Sequence, residues 1–139
     1  MILDSYSEAD TRKLAAITAN EAKKGDVFCL DGDLGCGKTV FAKGFADGLG
    51  VREAVTSPTF TILKEYPEGR LPLYHFDVYR IADPEEMAAI GFDDYLYGDG
   101  VCLIEWSELI ADLLPAGAIH IRISKEPEKG EDYRKIEFD

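Results

Sequence analysis

One octapeptide limits what this chain can fold into more than any other part of the sequence. Residues 32–39, Gly-Asp-Leu-Gly-Cys-Gly-Lys-Thr, match the P-loop pattern, in which two glycines five positions apart are followed by Lys and Thr. The unbroken apolar run at residues 27–30 precedes the loop and is typical of a strand buried on both faces of a sheet. A helical pattern with Phe41 and Phe45 on one stripe follows the loop. This succession of strand, glycine loop and helix predicts an α/β domain with a phosphate site at the loop.

The residue types in this loop suit one kind of chemistry. Glycines let the backbone curl until its N–H groups point at phosphate oxygens, and the following helix presents its positive N-terminal end to the same anion. In the P-loop pattern, Lys38 reaches the β- and γ-phosphates of a nucleotide, and the Thr39 hydroxyl holds Mg²⁺. The sequence therefore predicts that the chain binds a nucleotide together with magnesium.

A P-loop site also needs an acidic group that completes the metal site and orients water, and two acids are candidates. Asp77 follows the largely apolar residues 73–76, and Glu105 follows the apolar run at residues 101–104. In open α/β sheets the ligand lies at the carboxyl ends of the parallel strands, so Glu105 stands where a Walker B acid belongs. The usual residue there is Asp, and the longer Glu could reach Mg²⁺ directly or through a water.

The remaining strand patterns predict a mixed sheet that is parallel in its centre. Residues 59–66 and 73–78 read as two strands, and the turn residues 67–70 between them favour an antiparallel hairpin. Alternating Ile residues at 119–123 predict a strand with one exposed face, and residues 136–138 repeat that pattern. With 139 residues, the chain has the length of one domain, and we predict a single three-layer α/β/α domain, P-loop NTPase-like, over residues 1–139.

Three helices besides the one after the P-loop are predicted from their end signals. The first runs from Ser7, which opens a capping box, to Gly25. The second starts at Asp83, which is followed by Pro and two Glu residues. The third is short, covers residues 107–114, and is stopped by Pro115.

Charge and composition exclude several partners. The chain has 27 acidic and 15 basic residues, a net charge of −12, and no run of basic residues to neutralise nucleic-acid phosphates. We therefore expect no tight direct binding to tRNA or other nucleic acid. No stretch approaches the roughly 20 apolar residues of a membrane span, and the N-terminal residues lack a signal-peptide pattern. Three scattered cysteines suit a reduced compartment, so we expect a cytoplasmic protein.

Several motifs that would indicate other functions are absent from the sequence. No Asn-Lys-x-Asp guanine-reading motif occurs, and no arginine-rich lid segment is evident. The isolated Arg80 is predicted to be a structural ion-pair partner. His75 and His120 lack metal-ligand spacing and are predicted to be a strand-borne pair with packing roles.

Four motifs in order carry a resemblance to a known family. The P-loop, Ser-Pro-Thr-Phe-Thr at residues 57–61, His-Phe-Asp-Val-Tyr-Arg at 75–80 and Glu-Trp at 105–106 resemble the TsaE (YjeE) family of small bacterial ATPases. The similarity runs over about residues 26–106. Cys36 stands where the family more often has Ala; both are small, and the loop contributes its backbone there.

The resemblance implies an ATPase that binds ATP or ADP with Mg²⁺ and is required for threonylcarbamoyladenosine modification of tRNA. Family members hydrolyse ATP slowly alone and act on the complex of TsaD with TsaB. By position, Lys38 would serve the phosphates, Asp77 would position water, and Glu105 with Thr39 would hold the metal. The nucleotide-binding residues that the resemblance implies are Asp33, Leu34, Gly35, Cys36, Gly37, Lys38, Thr39, Thr59 and Trp106. Residues 57–61 would form a switch segment near the γ-phosphate, and Trp106 would face the partner.

Two other functions remain open from the residues alone. A small-molecule P-loop kinase would transfer phosphate to an acceptor rather than release it to water. A nucleotide-sensing regulatory subunit would bind nucleotide without turnover, even when its partner is present.

Overall fold

A computed structural model describes residues 1–33 and 35–139, and its strands form one seven-stranded mixed sheet. The strands are β1 (Ile2–Ser5), β2 (Val27–Asp31), β3 (Leu63–Tyr66), β4 (Leu73–Asp77), β5 (Val101–Glu105), β6 (Ile119–Ser124) and β7 (Arg134–Phe138). Their order across the sheet is β1-β7-β6-β2-β5-β4-β3. The four central strands β6, β2, β5 and β4 are parallel, whereas β3 is antiparallel to β4, and β7 is antiparallel to β6 and β1. The predicted central parallel sheet and antiparallel hairpin are confirmed.

Helices cover both faces of the sheet, which gives the predicted three layers. The described helices are α1 (Glu8–Asn20), α2 (Lys38–Leu49), α3 (Glu86–Ala89), α4 (Phe92–Leu96) and two 3₁₀ helices at Ser107–Leu113 and Pro127–Lys129. The helices α1 and α2 pack against each other on one face. The short helices α3, α4 and Ser107–Leu113 lie on the other face. No helix among the described residues combines the length and the apolar character that crossing a membrane requires.

The central strands are apolar on both faces because each face is covered. On β2, Phe28 and Leu30 belong to the core under α1 and α2, while Cys29 belongs to the core on the opposite face. On β5, Leu103 belongs to the core under α1 and α2, and Ile104 belongs to the core on the opposite face. This burial on both faces explains why the two strands appear in the sequence as unbroken apolar runs.

The N-terminal part of the chain departs from the sequence prediction in two places. Residues 2–5 form an edge strand that was not predicted, because four residues of mixed burial carry little periodicity. The first helix is capped by the Ser7 side chain as predicted, but it ends at Asn20 rather than at Gly25. The Arg70 guanidinium donates to the carbonyls of Ala19 and Ala22 there, so a residue from the β3–β4 turn satisfies the helix end.

Two other predicted element boundaries are wrong by several residues. The strand expected from residue 59 begins at Leu63, because Thr61 N–H and Ile62 N–H donate to the Pro58 carbonyl and close a turn instead. Ile62 has a φ of 68°, an uncommon backbone conformation for a β-branched residue. The helix expected from Asp83 begins at Glu86, after a turn in which the Asp83 carboxylate accepts a bond from Glu85 N–H.

The close approach of α1 and α2 depends on a glycine, and this gives a stability prediction. A Cβ at Gly44 would lie 2.6 Å from Arg12 Cα, so the two helices would have to separate. We expect Gly44→Ala to lower the free energy of unfolding by about 1–3 kcal/mol, the usual cost of overpacking. Urea denaturation measures this, with Gly117→Ala as the control, because a Cβ there meets nothing within 4 Å. Equal stability of the two variants would contradict the prediction.

Candidate functional site

A cavity of about 470 Å³ opens where β4 and β5 end and α2 begins. This is the edge of the sheet at which open α/β proteins bind their ligands. Residues from six separate parts of the chain meet there. The cavity is lined by Ser7, Glu8, Thr11, Gly35, Gly37, Lys38, Thr39, Val40, Ser57, Thr59, Asp77, Glu105, Trp106, Asp132 and Arg134.

The glycine loop forms one wall because its glycines take backbone positions closed to other residues. Gly32 has a φ of 152°, and a Cβ on it would lie 2.5 Å from the Ile123 carbonyl oxygen. Gly37 has a φ of 106° and precedes α2 without any side-chain cap among the described residues. The first N–H groups of α2 therefore remain available at the cavity, and such groups bind phosphate well.

Lys38 is nearly buried at the mouth of the loop, with 6% of its surface exposed. Its ammonium donates to the Gly32 carbonyl at 2.7 Å and lies 3.6 Å from the centre of the Trp106 ring. Both contacts are ones that a positive charge favours. The amine is thus held beside the loop in which an anion would be bound.

The Glu105 carboxylate is buried at the end of β5 and is bonded to a histidine. Its Oε2 atom lies 2.6 Å from Nε2 of His75, and the two side chains are only 4% and 1% exposed. Since His75 Nδ1 has no partner in the part of the chain that the structure describes, the tautomer with its proton on Nε2 fits better than the one with its proton on Nδ1. An unpaired buried N–H on Nδ1 would cost about 1–3 kcal/mol. The imidazole therefore donates to Glu105.

This contact corrects the packing role that the sequence predicted for the two histidines. His75 is on β4 and His120 is on β6, with β2 and β5 between them, so they do not form a pair. His120 is half exposed and lies 3.9 Å from an Asp31 oxygen. Only His75 stands next to the site.

Asp77 ends β4 beside Glu105, and residues 57–61 contact it. Its carboxylate accepts the Thr59 hydroxyl at 3.1 Å and the Tyr79 N–H at 2.9 Å, and the Ser57 hydroxyl lies 3.5 Å away. In the sheet register Asp77 lies opposite Glu105. The structure thus brings the two predicted acids and residues 57–61 to one place.

Three aromatic side chains form what we call the aromatic rim: Trp106 lines the cavity, Tyr79 packs on Trp106, and Phe60 directly follows the cavity-lining Thr59. Trp106 has a φ of 62°, and its ring lies 4.8 Å from that of Tyr79, which is 51% exposed. Phe60 is 83% exposed and lies under the Arg80 guanidinium at 4.5 Å. Arg80 therefore stacks on an aromatic ring, and the ion pair predicted for it is not found among the described residues.

Sequence reasoning missed the contribution of the chain's two ends to this cavity. Arg134 on β7 lines it and donates through Nε to the Cys36 carbonyl at 2.7 Å, which ties β7 to the loop. Ser7, Glu8 and Thr11 line it from the start of α1. These contacts carry no local sequence signal, since Arg134 and Cys36 are 98 positions apart.

Most of the residues predicted to be catalytic or to bind nucleotide or metal line this one cavity. They are Gly35, Gly37, Lys38, Thr39, Thr59, Asp77, Glu105 and Trp106. Asp33 and Cys36 are not among the lining residues, and the prediction for Leu34 lies outside the described residues. Burial raises the pKa of the Cys36 thiol, and the opposing effect of Lys38 and Arg134 is smaller. Cys36 is therefore a neutral, buried side chain whose backbone belongs to the loop.

The donor set fits magnesium bound together with a nucleotide. Over residues 1–33 and 35–139, no group of three or more His, Cys, Asp or Glu side chains is arranged to hold a metal by itself. Mg²⁺ commonly takes one or two protein oxygens and completes its octahedron with phosphate oxygens and waters. The Thr39 hydroxyl and the Glu105 carboxylate at one cavity match that arrangement.

The fold and the glycine loop together define a P-loop-type α/β protein. The family model of the threonylcarbamoyl adenosine biosynthesis protein TsaE matches residues 5–136. The chain belongs to the TsaE family, which confirms the resemblance seen in its motifs.

Relatives and a solved structure agree with this membership. The chain is 53% identical over 129 residues to the tRNA threonylcarbamoyladenosine biosynthesis protein TsaE of Bacillus subtilis, covering 93% of this chain and 78% of the relative. It is 46% identical over 119 residues to the protein of the same name from Treponema pallidum, covering 86% and 87%. The crystal structure of Bacillus subtilis YdiB matches with a TM-score of 0.85 at 46% identity, covering 99% of this chain and 83% of that one.

Proposed function

We propose that this chain is a Mg²⁺-dependent ATPase that supports threonylcarbamoyladenosine modification of tRNA by acting on the TsaB–TsaD complex in the cytosol. The observation that carries the ATPase proposal is the meeting of a P-loop, Lys38 and two strand-end acids in one cavity. Membership of the TsaE family, and the names of the relatives, support the role in tRNA modification.

Several residues of the cavity have a proposed role in hydrolysis. The loop N–H groups and Lys38 would bind the phosphates and stabilise the charge that develops on the γ-phosphate. Thr39 and Glu105 would hold Mg²⁺, which neutralises phosphate charge when it is bound. Asp77 would position the attacking water in line with the γ-phosphate and accept a proton from it. The start of α1 and Arg134 offer polar groups to the rest of the nucleotide.

Residues 57–61 are suited to report the state of the nucleotide. Thr59 already bonds to Asp77, so a γ-phosphate and its water at Asp77 would compete for that contact. A segment that gains or loses contacts with the γ-phosphate presents different surfaces in the ATP and ADP states. The exposed Phe60 lies within this segment and would carry the change to a partner.

The proposed function predicts that the aromatic rim matters more to the partner than to the nucleotide. We expect Trp106→Ala and Phe60→Ala to weaken the stimulation of turnover by TsaB–TsaD more than they weaken ATP binding. Phe60→Ala is the cleaner variant, because Trp106 also contacts Lys38. Tyr97→Ala is the control, since Tyr97 is 76% exposed, comparable to Phe60, but stands at the end of α4 and belongs neither to residues 57–61 nor to the pair 105–106. Equal stimulation of all three variants would show that the aromatic rim is not part of the surface that binds TsaB–TsaD.

Phosphate release with and without TsaB–TsaD tests the function as a whole. If phosphate is released to water, and if TsaB–TsaD changes the rate of this release, the result supports the proposal. Transfer of phosphate to an added acceptor would favour a kinase, and binding without release would favour a sensor. With a net charge of −12, the chain should not bind tRNA tightly at low salt, where repulsion is strongest. Tight tRNA binding by the chain alone, with turnover indifferent to TsaB–TsaD, would overturn the proposed role.

A further inference from the structure

We propose that His75 is a positioning residue that holds the Glu105 carboxylate in place for the metal. The inference rests on the proposed function, in which Glu105 is a magnesium ligand. His75 does not line the cavity, so it does not touch the nucleotide itself. Within residues 1–33 and 35–139, its one polar contact with the site is the 2.6 Å hydrogen bond from Nε2 to Glu105 Oε2.

The position of His75 suits this role because the sheet fixes it from both sides. It lies within β4, opposite Leu103 of β5 and Lys64 of β3. The imidazole is 1% exposed, so its rotamer is set by packing. Glu105, by contrast, has one more rotatable bond than the Asp that usually stands at this place in P-loop proteins. A rigid donor behind its carboxylate removes that freedom.

The direction of the hydrogen bond supports the same role. A carboxylate can only accept hydrogen bonds, and Nδ1 of the imidazole has no partner among the described residues, so Nε2–H is the donor to Glu105. One carboxylate oxygen is then occupied by the imidazole, and the other is left for the metal. Partners of this kind, which orient a ligand without touching the metal, typically change metal affinity or activity by 10–100-fold when they are removed.

Two substitutions separate the hydrogen bond from the shape of the side chain. The side-chain nitrogen of Gln reaches about as far as imidazole Nε2, whereas that of Asn reaches only as far as Nδ1. His75→Gln should therefore keep the donor to Glu105, and His75→Asn should lose it. Both replacements are polar, but Asn is one methylene smaller than Gln, so thermal stability is measured for both variants to identify losses that come from packing alone.

The test measures Mn²⁺ binding by electron paramagnetic resonance in the presence of a non-hydrolysable ATP analogue. We expect His75→Asn to weaken Mn²⁺ binding at least about 10-fold, and His75→Gln to change it by less than about 2-fold. In both variants, the affinity for the ATP analogue measured without metal should equal that of the wild-type chain. In a Glu105→Gln background, His75→Asn should add nothing further, since the carboxylate that it positions is already gone.

The other outcomes distinguish this inference from the function on which it rests. If Glu105→Gln weakens Mn²⁺ binding while His75→Asn does not, the positioning role fails and the metal role of Glu105 stands. If Glu105→Gln leaves Mn²⁺ binding unchanged, the proposed metal site itself fails. Equal weakening by His75→Asn and His75→Gln, together with equal losses of thermal stability, would make His75 a structural residue and overturn the inference.

Discussion

Replacement of Lys38 by alanine is expected to reduce ATP turnover by at least about a hundredfold, as the loss of a single charge-stabilising donor does in other enzymes. The ammonium stands at the loop, 2.7 Å from the Gly32 carbonyl, and is proposed to bind the phosphates there. Alanine is well tolerated at helical positions, so α2 should still form. The loss should therefore appear in chemistry and phosphate binding rather than in folding.

Phosphate release measured under single-turnover conditions tests this expectation, with circular dichroism to verify the fold. Lys43→Ala is the matched control, because Lys43 is an exposed residue of the same helix and does not line the cavity. A folded Lys38→Ala protein with turnover equal to that of Lys43→Ala would refute the assignment of the P-loop.

Glu105→Gln is expected to lower magnesium-dependent turnover by about 10–100-fold or more, while nucleotide affinity changes much less. The amide has nearly the size of the carboxylate, and its oxygen can still accept the bond from His75 Nε2–H. The substitution should therefore remove the charge that is proposed to bind Mg²⁺ and leave the packing of β5 intact. Without that charge, the metal should be held less well against the γ-phosphate.

A magnesium titration of turnover, beside nucleotide binding measured without metal, separates these two effects. Glu65→Gln is a suitable control, since Glu65 is an exposed residue on β3 and lies outside the cavity. If the two variants responded to magnesium as the wild-type chain does, Glu105 would have no part in the metal site.

Features that depend on neighbours in the sequence were predictable from the sequence. The glycines, Lys38 and Thr39 act through local backbone geometry, so their spacing alone was enough to predict a loop between a strand and a helix. The meeting of Asp77 and Glu105 at one cavity was predictable for a related reason. Each follows a buried run, and the carboxyl ends of parallel strands meet at one edge of a sheet.

Features that depend on long-range pairing or weak local signals were decided only by the tertiary structure. Strand β1 and the true end of α1 have little periodicity, and Arg70 satisfies the helix end from about 50 residues away. Glu105 and its partner His75 are 30 positions apart, and Arg134 reaches Cys36 across 98. Spacing along the sequence does not predict such contacts. These residues are neighbours because of the order of the strands in the sheet, and they are far apart along the chain.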